Sequence, residues 1–91
     1  GLVLPFDDVA DAVRQANDTR YGLAAYIWTQ DLAAAHTVAA QVKAGSVWIN
    51  GGSPPDARLP WGGVKASGIG RELGWAGIEA CTEEKTVTIT L

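Results

Sequence analysis

The sequence predicts an α/β fold of βαβ units around a parallel sheet. Two short β-preferring runs, 24–28 and 46–50, flank a stretch whose apolar residues Leu32, Ala35, Val38, Ala39 and Val42 recur at helical spacing. In the second run Val47-Trp48-Ile49 is continuous rather than alternating, as expected of a strand buried on both faces of a parallel sheet. The connections are short, so strand 24–28, helix 31–43 and strand 46–50 form one unit with a right-handed crossover.

The other elements follow in order. Leu2–Leu4, stopped by Pro5, reads as the end of a strand. Asp7 or Asp8 caps a helix over 8–17 that presents Val9, Ala12, Val13 and Ala16 on one face. Gly22 punctuates, and Tyr26, Ile27 and Trp28 supply β preference. Thr29 is expected to cap the next helix, which Gly45 terminates. Residues 51–69 read as a long Gly/Pro-rich loop and 69–80 as a short helix. At the end Val87, Ile89 and Leu91 alternate with Thr86, Thr88 and Thr90, a C-terminal amphipathic strand suited to an edge or antiparallel position.

Bulk properties narrow the function. Ninety-one residues make at most one domain of marginal stability. A net charge of -3 gives no basic patch for nucleic acid. No apolar run approaches the roughly 20 residues that cross a bilayer, and no secretory leader is recognisable. One cysteine and one histidine make neither an internal disulfide nor a structural zinc site. The expected setting is soluble and cytoplasmic. Methionine is absent even at position 1, so the chain is expected to begin within a longer protein.

Few residues carry chemistry by themselves. Cys81 precedes Thr82, Glu83 and Glu84, whose carboxylates oppose a reactive thiolate. His36 has no carboxylate three or four residues away to orient it, and reads as a boundary histidine. The segment 59–74 is the most informative, with Gly62, Gly63, Gly68, Gly70 and Gly74 interleaved with Trp61, Lys65, Ser67, Arg71 and Glu72. Such a run is a binding loop or a close backbone approach. Gly68, Gly70 and Gly74 miss the G-x-G-x-x-G dinucleotide spacing and follow no strand. Lys65 and Ser67 read equally as an anion site or as a solvated loop. Asn50 ends a buried parallel strand, where open α/β sheets bind ligands. Trp61 reads as a pocket wall or as a cap on the core. Arg71 paired with a glutamate would tie the loop exit to the last strand.

Four ordered segments resemble the NAD(P)-dependent aldehyde dehydrogenases across nearly the whole chain. These are Asn17 to Thr29 with Tyr21-Gly22-Leu23-Ala24-Ala25, then Ala44 to Asn50, then Pro60 to Glu72, then Thr82-Glu83 with Lys85-Thr86-Val87. The resemblance implies the C-terminal part of a catalytic domain at 1–80 and an oligomerisation strand at 81–91. It implies that Trp61, where phenylalanine is usual, and the 51–59 loop with Ser53 line the aldehyde pocket, beside the Asn50 already placed there by its position at the strand end. Gly62, Gly63, Lys65, Ser67, Gly68 and Gly70 would shape the loop, Arg71 and Glu83 would form a bracing pair, and Glu72 would stand near a proton path. Cys81 sits where tyrosine is common. The family's nucleophile, general base and cofactor segments have no counterpart here. The expectation is therefore no cofactor in this chain alone, NAD or NADP in the complete enzyme, and partners in the missing part of the enzyme or a second copy. The alternative is a stand-alone, non-catalytic module that self-associates through its last strand.

Overall fold

Strand pairing organises the molecule in a computed structural model that describes residues 1–52, 54 and 56–91. The elements run α1 (Val9–Asn17), β1 (Ala24–Ile27), α2 (Leu32–Gln41), β2 (Ser46–Ile49) and α3 (Gly74–Glu79), with a 3₁₀ turn at Lys65–Ser67. β1 and β2 are parallel, in the register Ala24 to Ser46 through Ile27 to Ile49. The expected βαβ unit is present, with α2 as its crossover.

Local chemistry sets the helix ends. Asp8 caps α1, its carboxylate accepting from the Asp11 N–H at 2.7 Å. Asp31, not Thr29, caps α2 by accepting from the Ala34 N–H at 3.0 Å. Thr29 lies two residues too early, and its hydroxyl accepts from the Asp31 N–H instead. The last helix begins at Gly74, later than the spacing predicts, because Leu73 takes φ 61, ψ 168 and interrupts helical geometry.

Packing departs from the expectation of a buried sheet. Among the described residues the buried apolar side chains are Val13 of α1 and Ala35 of α2, while β2 is only half-buried. Among the described residues, two strands and one crossover leave the sheet only partly covered. Leu2–Leu4 forms no strand and is exposed. Residues 82–91 likewise form no strand, since a strand exists only by pairing and they meet no ladder partner among the described residues. The accessible surface is 7431 Å², about half as much again as a folded monomer of this mass exposes. The Cα radius of gyration is 17.8 Å, against about 12 Å for a compact chain of this length. Leu4, Phe6, Trp28, Ile69, Trp75 and Ile78 all stand open, an apolar surface beyond that of an ordinary monomer.

Candidate functional site

The glycine run is irregular but firmly held. Its 3₁₀ turn docks on the connection between α1 and β1. The Ala66 N–H donates to the Arg20 carbonyl at 2.8 Å, and the Val64 N–H to the Gly22 carbonyl at 2.9 Å. In return the Gly22 N–H donates to the Ser67 hydroxyl at 2.8 Å. Lys65 Nζ donates to the carbonyls of Asn17 and Thr19 at 3.0 and 2.9 Å. Those carbonyls lie at the C-terminal end of α1, where a cation complements the helix dipole. The anion reading of Lys65 and Ser67 thus gives way to a structural clamp.

Backbone crowding explains the glycines. A Cβ on Gly45 would stand 1.6 Å from the Gly62 carbonyl oxygen, so the α2–β2 turn and the run touch without room for a side chain. Gly63 is buried, and a Cβ there would meet Ser67 Cβ at 2.5 Å. Gly68 and Gly70 lie in open space and contribute only turn conformations, at φ 132 and 80. Arg71 Nη1 donates to the carbonyls of Gly63 and Gly70 at 2.8 and 2.7 Å. The expected bracing pair with Glu83 is not formed. Among the described residues the ion pairs are Arg14–Asp11 and Arg58–Asp56, and Glu83 lies in the unpaired tail. Both cations of the run thus face main-chain carbonyls, and its glycines follow a loop rather than a strand. These residues do not fit a dinucleotide phosphate site.

One wall of side chains emerges. Trp61 exchanges two backbone hydrogen bonds with Glu72, at 2.7 and 2.8 Å, as an antiparallel bridge. The bridge sets the Trp61 ring against Trp48 of β2, with centroids 5.7 Å apart and planes tilted by 46°. Trp48 in turn stacks on Tyr26 of β1 at 5.1 Å. Tyr26 and Trp48 are register partners, so an aromatic row crosses both strands and ends in the loop. Beside it opens a cleft of about 220 Å³, walled chiefly by Trp48, Trp61, Leu59, Pro60 and Leu73.

The remaining expected residues fall apart from this cleft. Asn50 does not line it. Its amide accepts from the Thr29 N–H at 2.8 Å and donates to the Thr29 carbonyl at 2.7 Å, joining the ends of the two strands. Ser53 lies outside the described residues. The Glu72 side chain is exposed. His36 and Cys81 are exposed. Sequence reasoning missed Trp48 and Tyr26 as wall residues, although each is the third residue of its strand. It also missed Leu73, for which no local signal exists, and Asp56. The Arg58 guanidinium and backbone N–H hold the Asp56 carboxyl below its ordinary value, through contacts of 2.6–3.2 Å.

The comparisons decide the family. The profile described as "Aldehyde dehydrogenase family" matches residues 1–87. The chain belongs to the aldehyde dehydrogenase family. This aldehyde dehydrogenase segment is 47% identical to aldehyde dehydrogenase [NAD(P)+] 1 of Saccharomyces cerevisiae, covering 99% of the segment and 18% of the yeast protein. It is 48% identical to betaine aldehyde dehydrogenase 2 of Rhizobium meliloti, covering 98% of the segment and 18% of that protein. A crystal structure of betaine aldehyde dehydrogenase from Staphylococcus aureus with NAD+ superposes with TM-score 0.79 at 48% identity, over 82% of the segment and 15% of that chain. An apo indole-3-acetaldehyde dehydrogenase gives TM-score 0.86 at 44% identity, over 94% of the segment and 20% of that chain. The segment therefore spans about 18% of the length of the curated relatives it matches, and other parts of the enzyme are implied. The partly covered sheet is that of a part.

Proposed function

We propose that residues 1–80 form the C-terminal part of the catalytic domain of an NAD(P)-dependent aldehyde dehydrogenase. Residues 81–91 are its oligomerisation strand, paired in a homo-oligomer. The reaction of the complete enzyme is oxidation of an aldehyde to a carboxylic acid, with NAD(P) held elsewhere in the enzyme. This segment contributes one wall of the aldehyde pocket. The supporting observation is the Trp61–Glu72 bridge, which fixes an indole ring against Trp48 over a cleft. Asn50 sets the strand end beside that wall, and Glu72, with its carboxylate exposed, is the candidate for the proton path. The free, exposed Cys81 fits a reducing, cytoplasmic setting.

The test is complementation. Deleting this segment from the complete enzyme should abolish NAD(P)H formation, and the 91-residue chain added in trans should restore it while showing no turnover alone. Aldehyde-dependent NAD(P)H formation that follows the purified chain by itself would overturn the reading.

A further inference from the structure

The chain has two asparagines, Asn17 and Asn50, and both use their side-chain amides in the same way. Asn17 Oδ1 accepts from the Lys43 N–H at 2.7 Å and its Nδ2 donates to the Gln41 carbonyl at 3.0 Å, tying the end of α1 to the end of α2. Asn50 Oδ1 accepts from the Thr29 N–H at 2.8 Å and its Nδ2 donates to the Thr29 carbonyl at 2.7 Å. What differs is the residue that follows. Asp18 carries a side chain, and its N–H donates to the Gln15 carbonyl at 3.1 Å where α1 ends. Gly51 carries none, and its N–H makes no hydrogen bond among the described residues.

That difference decides whether a side-chain amide can react with its own main chain. A deprotonated peptide nitrogen can attack Cγ of the asparagine before it and close a five-membered imide. A Cβ on the following residue crowds the approach, and a hydrogen bond on its N–H retains the proton. Gly51 presents neither obstacle. The Thr29 N–H also stands at Asn50 Oδ1, where negative charge develops during attack. One native contact opposes the reaction, because Nδ2 must leave the Thr29 carbonyl.

We propose that Asn50-Gly51 is a site of spontaneous deamidation in the folded protein, and that its conversion uncouples the ends of β1 and β2. The bond from the Gly51 nitrogen to Cγ forms, the Cγ–Nδ2 bond breaks, and ammonia leaves with the proton that the Gly51 nitrogen released to water. Water then adds to one of the two imide carbonyls. One opening gives aspartate; the other gives isoaspartate, with an extra carbon in the main chain. Water is the only co-reactant, and nothing is oxidised or reduced. Either product is a carboxylate, which has no N–H for the Thr29 carbonyl and sets a negative charge against that oxygen. The proposal goes beyond the pocket reading and needs none of it.

The experiment ages the complete enzyme carrying this segment in mildly alkaline buffer, folded and in urea. Peptide mapping by mass spectrometry, with isoaspartyl methyltransferase labelling, reads each asparagine. In the folded enzyme Asn50 should convert at least about tenfold faster than Asn17, with isoaspartate among the products. Gly51→Ala should slow conversion at 50 by about tenfold in both states, and the urea arm keeps that comparison free of any folding defect. Hydrogen exchange over 28–30 should be severalfold faster in the aged enzyme than in the fresh one, whereas Gly51→Ala aged alongside should keep its protection. Conversion at 50 no faster than at 17 in the folded enzyme, or conversion at 50 in urea alone, overturns the site. Conversion at 50 with unchanged exchange over 28–30 overturns the uncoupling.

Discussion

Two stretches of this chain look alike in importance and opposite in order. The glycine run, 60–74, has no regular pattern, yet its backbone and side chains are tied to residues about 45 positions away. The tail, 82–91, has a clean strand alternation at its end and, beyond Thr82, no hydrogen bond or ion pair to the rest of the chain among the described residues. Pattern reports which face of a segment is apolar. Order depends on whether a partner for its hydrogen bonds lies within reach. The run finds its partners inside the chain, at the α1–β1 connection, whereas the tail beyond Thr82 finds none among the described residues.

The sharpest way to break that contrast is Gly45→Ala. Its methyl would collide with the Gly62 carbonyl at 1.6 Å, and every atom it meets is main chain rather than a flexible side chain. We expect a loss of at least about 3 kcal/mol, seen as a collapse of soluble yield and of hydrogen-exchange protection across 60–74 in the complete enzyme. Lys65→Met should cost about 1 kcal/mol, because two charge-assisted hydrogen bonds to exposed carbonyls are lost but the stem still packs. Its urea midpoint measures this, and Lys65→Arg should recover part of it. Removing 82–91 should change the exchange protection of the βαβ unit by less than about 0.5 kcal/mol and, on the proposed pairing of the tail in a homo-oligomer, yield monomers by light scattering. A tail deletion that loosens the βαβ unit would show that the tail is tied within its own subunit.

The smallest effect concerns pH. Hydrogen bonds from Arg14, then Gln15 and the Asp7 N–H, hold the Asp11 carboxyl below its ordinary value. A carboxylate with a depressed folded-state value binds its proton more readily when unfolded. Its contribution is therefore complete above the ordinary carboxylate range, and is lost as pH falls through the lower folded-state value. Asp11→Asn should flatten that acid limb slightly, read from urea midpoints between pH 7 and pH 2.

What the sequence made legible was local. Helix 8–17 and the βαβ unit rest on spacing and caps a few residues apart, and they stand within a residue or two of expectation. The ends that moved did so for local reasons one step finer, such as the Asp31 carboxylate displacing Thr29 as the cap. The site was legible only as a family resemblance. Trp61 was visible as a bulky ring among glycines, but its neighbour Trp48 depends on the register of two strands 22 positions apart. Lys65 reads as a free cation until the end of α1 is brought beneath it. The Arg71–Glu83 link failed because its second member belongs to the tail, whose place this chain does not set. Burial was misjudged for the same reason, since a continuous apolar strand describes the whole enzyme's sheet.

Asn50 behaves as a surrogate peptide group. Its side-chain amide gives and receives one hydrogen bond with the Thr29 main chain, the reciprocal pair that an opposed residue makes in an antiparallel ladder. Meanwhile its own N–H makes the last backbone bond of the ladder, to the Ile27 carbonyl at 2.8 Å, and its φ of 55 turns the chain away beyond it. The pairing of β1 and β2 therefore runs one rung further than their backbones do, and the chain can turn toward the cleft without fraying the strand it leaves. Neither aspartate, which has no donor, nor leucine, which has neither group, can supply that rung.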